Sequence, residues 1–369
     1  MPKVPNVNLD VVLELLRIKT PALIGVDISS SSVKIVELKM LPQQAGLVLE
    51  AYSIHQLPKD AVSDGNITNL DAVAESLQHA WRHLGSKVKN ISLALPAAAV
   101  TTKKILLPSG MTEDDLEFQV ESEANQYIPF PLEEVNLDFQ VIGPSANNPE
   151  GEIEVLLAAS RKANVEDRVA AAQVAGLNAV VMDVDTYASE RAFELICAQL
   201  PDNAKDKCVA LVDIGTITTT VNVLRNGQSL YIRDQQVGGG QLTRQVEAMF
   251  GLSEEEAEAA KRSGNLPDNY EDDVLAPFRE NMVMEIYRLL QIFFTSTQYS
   301  EIDYIVLAGG CAVLPGLDDA VATKTQVATM VGNPFALMTL SDRIKARQLQ
   351  ADAPSLMVAC GLAMRRFDK

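Results

Sequence analysis

The sequence predicts an α/β protein with two similar lobes, and three observations support this. The chain has 369 residues, too many for one small core. Strand-like and helix-like segments alternate along most of it, which favours an α/β fold. A buried strand, an aspartate, a hydroxyl-rich turn and a β-branched strand occur in this order twice, at residues 23–38 and 208–224. The two aspartates, Asp27 and Asp213, are about half the chain apart, so we expect two lobes that each begin with a β-hairpin.

Residues 21–97 predict the core of the first lobe. After the first hairpin, residues 47–54 read as a third strand. Apolar residues at helical spacing predict a helix over 71–84. A short apolar run at 91–96 predicts a buried strand that completes this part of the lobe.

Residues 98–177 have their own β-α-β-β-α order and predict a small subdomain inserted into the first lobe. Its predicted strands are 101–107, 135–141 and 153–160, and its helices are 112–126 and 164–175. Thr112 is the expected N-cap of the first helix, and Gly176 ends the second. Residues 178–200 then return to the first lobe.

Residues 201–369 predict the second lobe, which starts with the repeated hairpin. The later elements are a glycine loop at 238–240, helices at 241–250 and 253–262, a polar loop at 267–273, a long helix at 277–300, a buried strand at 304–307, a helix opened by 315–317 and a last helix at 355–366.

Composition excludes several classes of protein. The formal net charge is −18, which argues against binding to nucleic-acid backbones. The four cysteines are far apart and there are only three histidines, so we expect neither a disulfide scaffold nor a metal centre rich in histidine or cysteine. No apolar run approaches the roughly 18 residues of a membrane span, and the amino terminus lacks the features of a secretory signal. These features predict a cytoplasmic protein.

Residues 1–20 form a separate amphipathic segment. An apolar stripe in a helix begun by Asp10 is expected at Val11, Val12, Leu15, Leu16 and Ile18. A helix that lies on a membrane usually has a strongly basic polar face, and this one carries little charge. Docking on the protein's own body is the preferred interpretation, and a membrane or partner contact is the alternative.

The two hairpin tips are candidate phosphate-binding loops. Small residues let backbone N–H groups approach a phosphate chain closely, and the aspartates are candidate Mg²⁺ contacts through water. The predicted contacts are Asp27, Ser29, Ser30, Ser31, Asp213, Gly215, Thr216 and Thr218. Lys34 either reaches a phosphate or lies on the solvent face of its strand. Either hairpin alone is also compatible with an ordinary β-turn.

A third glycine-containing element is the strand-to-helix turn at 305–317. Bare backbone at Gly309 and Gly310 allows a ribose or a flat ring to pack there, with Cys311 and Leu314 beside it. The alternative is a turn that needs glycine only for packing. No Walker-type phosphate loop occurs in the sequence.

These three segments, in this order, resemble the motifs of the actin, chaperone and sugar-kinase superfamily. GVDISSSSVKIVEL and LVDIGTITTTVNVL are similar to its two phosphate motifs, and IVLAGGCAVLPGL is similar to its adenosine motif. ESEANQYIPFP, at 121–131, resembles the PilM family, the FtsA-like proteins of type IV pilus assembly. The resemblance implies an actin-like (ribonuclease H-like) two-lobed fold with an FtsA-type βαββα insert, and a subdomain on the nucleotide side over 241–303.

The resemblance also implies a nucleotide site for ATP or ADP with Mg²⁺, and hydrolysis that is slow or absent. Gly238, Gly239 and Gly240 look like the start of a connecting helix near the phosphates. Glu258, Lys261 and Arg262 are implied contacts of the base or ribose. Asp185 is the main candidate to orient an attacking water, with Asp213 as the alternative.

The PilM resemblance further implies a protein partner. It predicts a cytoplasmic scaffold, peripheral at the inner membrane, that binds the short N-terminal tail of a PilN-like membrane protein and contacts other pilus machinery, with self-association possible. The groove residues expected on the insert are Ile105, Leu107, Phe118, Tyr127 and Phe130. A small-molecule kinase and an FtsA-like filament former of cell division are the alternative functions.

Overall fold

The first lobe starts with the predicted hairpin. In the computed structural model, which describes residues 22–40, 46–145 and 147–368, β1 (Ile24–Ile28) pairs antiparallel with β2 (Ser32–Met40). The other edge of β2 pairs with β3 (Leu47–Gln56). The predicted amphipathic segment 1–20 lies outside the described residues.

A helix covers one face of this sheet. After the short strands β4 (Val62–Ser63) and β5 (Asn66–Ile67), α1 (Leu70–Leu84) starts at Asn69, whose side chain accepts a hydrogen bond from the Ala72 amide. The buried side of α1 packs on the sheet, and β6 (Asn90–Leu95) then runs parallel to β1.

The insert is a three-stranded antiparallel sheet under one helix. Its elements are β7 (Val100–Pro108), α2 (Glu113–Ala124), β8 (Val135–Pro144) and β9 (Glu152–Arg161). The strand order is β7-β9-β8, so β7 and β8 are edge strands. As predicted, Thr112 caps α2 by accepting from the Asp115 amide. The insert has an apolar core of its own.

The last helix of the predicted insert belongs to the first-lobe core. This helix, α3 (Lys162–Val174), packs against α1, and its buried Ala171 and Ala172 join the first-lobe cluster. Since α2 already covers the apolar face of the inserted sheet, the small side chains of α3 pack instead against the lobe. The insert's own core therefore ends near residue 161 and not at 177.

The second lobe repeats the strand arrangement of the first. The chain passes through β10 (Asn178–Val184) and α4 (Asp185–Cys197) to β11 (Cys208–Ile214), β12 (Thr219–Arg225) and β13 (Gln228–Gln235). Like β1, β11 pairs antiparallel with the next strand and parallel with a later one, β14 (Tyr304–Ala308). The duplication inferred from the sequence is thus visible in the pairing.

Helices cover this second sheet. They and the remaining strands are α5 (Gly240–Phe250), α6 (Glu254–Ser263), α7 (Ala276–Ser296), β14 (Tyr304–Ala308), α8 (Leu317–Thr325), β15 (Ala328–Val331), β16 (Thr339–Leu340), α9 (Ala346–Asp352) and α10 (Met357–Met364). The sheet order is β13-β12-β11-β14-β15.

The carboxyl-terminal segment joins the lobes. The strand β16 pairs with the edge of β3, which completes the first-lobe order β10-β6-β1-β2-β3-β16. The helix α10 packs on β1 and on α4, and its buried residues share one apolar cluster with both sheets. The nominal second lobe therefore contributes to the first.

Two predicted elements differ in detail. Part of the predicted loop 267–273 belongs to a π-helical turn, Glu271–Leu275, which continues into α7. The predicted last helix 355–366 is α-helical only over Met357–Met364. Its first two residues belong to a 3₁₀ turn, Ala353–Leu356, which contains Pro354, a residue with no N–H to donate. No helix within the described ranges is long and apolar enough to cross a membrane.

Candidate functional site

The two hairpin tips meet across the cleft between the lobes. The Oγ atom of Ser31 lies 2.8 Å from Oγ1 of Thr216. Each tip is closed by its own backbone hydrogen bond, from the Ser29 amide to Ser32 O (3.0 Å) and from the Gly215 amide to Thr218 O (2.9 Å). The predicted tip residues Ser30 and Thr218 line the same cleft. The structure therefore brings together two loops that are 185 residues apart in the chain.

Lys34 lies inside the cleft and not on a solvent face. Its Nζ donates to Asp27 Oδ2 at 2.8 Å and to Ser29 Oγ at 3.3 Å. The side chains of Lys34 and Asp27 are each 14% exposed. The ammonium therefore stands beside the first tip, where it can neutralise an anionic ligand.

Asp213 is the second carboxylate of the cleft. Burial and the neighbouring Asp27 raise the pKa of Asp213 to about 6, against the opposing effect of the Lys34 ammonium. The described residues contain no group of three or more His, Cys, Asp or Glu side chains placed to hold a metal directly. The Mg²⁺ contacts of Asp27 and Asp213 through water remain a prediction.

Asp185 begins α4 at the base of the cleft. Its Oδ1 accepts a hydrogen bond from the Ala97 amide at 3.0 Å, and burial raises the pKa of Asp185 to about 7. A cavity of about 70 Å³ lies between Asp185, Asp213 and Asp234. These three carboxyl groups border it, and it is large enough to hold water.

The glycine triplet supports the second tip from behind. The Gly239 amide donates to Gly215 O (2.9 Å) and the Gly240 amide to Thr216 O (2.8 Å). A Cβ atom at Gly238 would lie 2.6 Å from Gly215 O. The amides of Gly239 and Gly240, which the resemblance placed near the phosphates, are therefore already bonded to the tip. This arrangement positions the loop, and of the three glycines only Gly239 lines the cleft.

The turn after β14 also packs closely against the backbone that leads into the second tip. Gly309 has a φ of +85°, and a Cβ there would lie 2.4 Å from Ile214 O and 2.5 Å from Asp213 Oδ1. At Gly310 a Cβ would meet no atom within 4 Å. Gly309 is thus required by packing, whereas Gly310 borders open space. Cys311 and Leu314 line the cleft beside them.

The predicted base or ribose contacts lie on α6. Nζ of Lys261 is 2.7 Å from both Thr243 Oγ1 and Glu258 Oε1. Burial acts to raise the pKa of Glu258, but the Lys261 ammonium holds it below its ordinary value. This cluster forms the wall of the cleft opposite the first lobe.

Two residues at the site were missed by the sequence analysis. With its amide nitrogen toward Ser31, Gln56 donates to Ser31 O at 3.0 Å and accepts from the Arg262 guanidinium, which bridges the lobes. The sequence could have indicated Gln56, because this residue ends the strand that pairs with the start of β2, next to the first tip. Arg168 on α3 is 2% exposed, donates to Ala94 O and Gly65 O, and lines the cleft. No local pattern indicates it.

The predicted groove residues on the insert divide into two groups. Phe118, Tyr127 and Phe130 are 73%, 40% and 39% exposed. Ile105 and Leu107 are buried in the insert's core, so their assignment to a groove surface was wrong. Alternation along β7 turns these two side chains under α2 and leaves Leu106 between them 52% exposed.

The cleft has a volume of about 1580 Å³. Small-molecule pockets typically occupy about 300–1,000 Å³, so the cleft has room for a nucleotide. Besides the tip contact, an exposed ion pair joins the two lobes, with Lys59 Nζ 3.2 Å from Glu254 Oε2.

Comparison with protein families gives one match over nearly the whole chain. Residues 25–367 match the family described as type IV pilus assembly protein PilM. Among curated proteins, the cell division protein FtsA of Enterococcus hirae is 25% identical over 346 residues, covering 82% of this chain and 76% of FtsA.

Two solved structures share the architecture. A PilM–PilN type IV pilus biogenesis complex is 28% identical with a TM-score of 0.77, covering 94% of this chain and 99% of that one. The ethanolamine utilization protein EutJ from Carboxydothermus hydrogenoformans is 17% identical with a TM-score of 0.55, covering 93% and 89%. The predicted actin-like two-lobed fold is confirmed.

Proposed function

The chain belongs to the type IV pilus assembly protein PilM family, and from this membership we propose that it is an ATP-binding actin-like scaffold of pilus assembly. It would bind the short N-terminal cytoplasmic tail of a PilN-like inner-membrane protein. By doing so it would link the membrane alignment complex to the motor platform, and would be peripheral at the inner membrane through that partner. The observation that carries the nucleotide part is the contact of the two hairpin tips.

The tips are suited to hold a triphosphate from both sides. The small residues at 29–31 and Gly215, Thr216 and Thr218 line the cleft, and a concave row of N–H groups binds phosphate whatever the net charge of the protein. Lys34 adds one positive charge beside Ser29. Asp27 and Asp213 would hold Mg²⁺ through its water shell.

Slow or absent hydrolysis fits the surroundings of Asp185. Its carboxylate already accepts a hydrogen bond from the Ala97 amide, so fewer of its lone pairs are free to hold and orient an attacking water. The chain would therefore use ATP chiefly as a bound ligand.

The insert offers a surface for an extended peptide. β7 is an edge strand that carries the exposed Leu106, and Phe118 on α2 is the most exposed aromatic of the subdomain. An added strand gains main-chain hydrogen bonds from the edge and specificity from alternate side chains. α2 carries six carboxylates and no basic residue, so an apolar peptide with basic residues is the complementary ligand.

The proposal is tested by two titrations. Isothermal titration with Mg-ATP should give binding in the wild type that is lost in Asp27→Ala and Asp213→Ala. Fluorescence anisotropy with labelled N-terminal peptides of PilN-like proteins should give binding that is lost in Phe118→Ala. Unchanged affinity in both aspartate variants would refute the nucleotide site, and unchanged peptide affinity would refute the groove.

A filament former is a second candidate, supported by the similarity to FtsA over 346 residues. Sedimentation with and without Mg-ATP separates the two functions. The scaffold proposal predicts protein in the supernatant under both conditions, whereas nucleotide-dependent pelleting would favour the filament.

A further inference from the structure

All three histidines of the chain lie together on one face of the first lobe. His79 and His83 stand on α1, and His55 stands on β3, the strand on which this helix packs. The rings of His55 and His79 are stacked with centroids 5.4 Å apart. Nδ1 of His83 lies 3.5 Å from Oγ of Ser53, which is on the same strand as His55. The tip contacts of the nucleotide cleft do not involve these imidazoles.

The positions on α1 suit chelation. Residues i and i+4 of a helix share one face, and two histidines at this spacing are a known arrangement for binding one zinc ion. His79 and His83 are exposed, so their rings can turn at the loss of the stack on His55 and the contact with Ser53 alone. Glu75, one turn earlier, has a carboxylate oxygen 3.7 Å from Nε2 of His79 and adds negative charge beside it.

We propose that His79, His83 and His55 form a surface site for a divalent transition-metal ion, represented by Zn²⁺. The two helix imidazoles would be the first ligands and His55 the third, with water completing the shell. In the described conformation no three ligand groups converge on one point, so binding requires the exposed rings to turn toward each other. Imidazole favours zinc, copper and nickel over magnesium, which keeps this site distinct from the nucleotide's Mg²⁺.

An ion held there would join α1 to β3 near the cleft. The strand β3 ends at Gln56, whose amide meets Ser31 at the first tip. An ion that binds the folded protein and not the unfolded chain stabilises the fold by mass action. The site therefore predicts a higher melting temperature with Zn²⁺.

The test uses the full chain without an affinity tag, titrated with Zn²⁺ while one-dimensional proton NMR follows the three histidine rings. All three sets of ring signals should shift together and stop at one equivalent. Loss of an outer-shell partner already weakens metal sites by about 10–100-fold, so His83→Ala, which removes a ligand, should weaken Zn²⁺ binding at least about tenfold. The matched control is Arg82→Ala, an exposed neighbour on the same helix, which should bind like the wild type.

The competing zinc ligands are the cysteines. A Cys311→Ser variant should retain the histidine shifts and the affinity. Undiminished Zn²⁺ binding in the His79→Ala/His83→Ala double variant, or displacement by millimolar Mg²⁺, would overturn the proposal. Histidine signals that stay in place on saturation would do the same.

Discussion

The hydroxyls of Ser31 and Thr216 lie 2.8 Å apart, although their hairpins are separated by 185 residues. Each is at the tip of a hairpin whose strands are buried in its own lobe. Their contact means that the two copies of the repeated motif face one shared space. A ligand with several anionic groups is the natural occupant of a space lined by two such turns.

Removing the Thr216 hydroxyl should weaken nucleotide binding without unfolding the protein. A typical hydrogen bond contributes about 1 kcal/mol, so Thr216→Val should lower Mg-ATP affinity by about fivefold in isothermal titration. Thr323→Val, at an exposed position on α8, is the control and should bind normally. Wild-type affinity in Thr216→Val would show that this tip does not touch the ligand.

Gly309 and Gly310 should respond differently to an added methyl group. Gly309→Ala forces a Cβ to 2.4 Å from Ile214 O at a positive φ, so thermal denaturation should show a loss of at least about 1 kcal/mol.

Gly310→Ala meets no protein atom and should leave the melting temperature unchanged. Gly310→Val should nevertheless weaken Mg-ATP binding, because a side chain there would occupy space assigned to the ligand. Normal binding by Gly310→Val would exclude this turn from the nucleotide site.

Nucleotide affinity should fall on acidification because of Asp213. Its pKa of about 6 means that the carboxylate needed near Mg²⁺ becomes protonated below pH 6. Calorimetric titrations between pH 5 and 8 should therefore show a loss of Mg-ATP affinity at the acid end. In Asp213→Asn the affinity should be low throughout and depend less on pH. If Asp213→Asn kept the wild-type dependence of affinity on pH, another group would be responsible for it.

Asp185 should destabilise the free protein as the pH rises. The carboxyl has a pKa of about 7 in the fold and about 4 when unfolded. Between these values the folded state binds more protons, so its stability decreases with increasing pH. Asp185→Asn keeps an oxygen for the Ala97 amide and removes the charge, so it should melt higher than the wild type at pH 8.

The difference between Asp185→Asn and the wild type should vanish near pH 4, where both side chains are neutral. Asp268→Asn, on an exposed loop, should show neither effect. A lower melting temperature of Asp185→Asn at pH 8 would mean that the charge is compensated in the fold.

Substitutions of exposed and of buried apolar residues in the insert should have different effects on peptide binding and on stability. Phe118→Ala removes a side chain that is 73% exposed, so it should keep the melting temperature and weaken binding of a PilN-like peptide. Ile105→Ala leaves a cavity in the insert's core and should cost about 2–5 kcal/mol of stability. Normal peptide binding by Phe118→Ala would place the partner elsewhere.

Much of the fold was predictable because strong local patterns set it. The two hairpins, Thr112 as a cap and the β-α-β-β order of the insert follow from alternation, capping residues and turns. The assignment of α3 failed because its face of small residues does not reveal which neighbour it packs on. The short strands β15 and β16 carry too few residues to show a period of two.

The site was predictable in part for the same reason. Repeated motifs located the tips and the Gly309 turn, but Arg168 enters the cleft from a helix that follows the insert. Its role depends on tertiary packing that no spacing encodes. Ile105 and Leu107 were placed in the groove because hydrophobicity alone does not distinguish a core face from an exposed one.

A crystal structure of the chain with Mg²⁺ and a non-hydrolysable ATP analogue tests the central proposal most directly. We expect phosphate oxygens within hydrogen-bonding distance, about 3 Å, of backbone amides in both 29–31 and 215–218, with the adenosine beside Gly310. An analogue bound to one tip alone, or at any other surface, would contradict it.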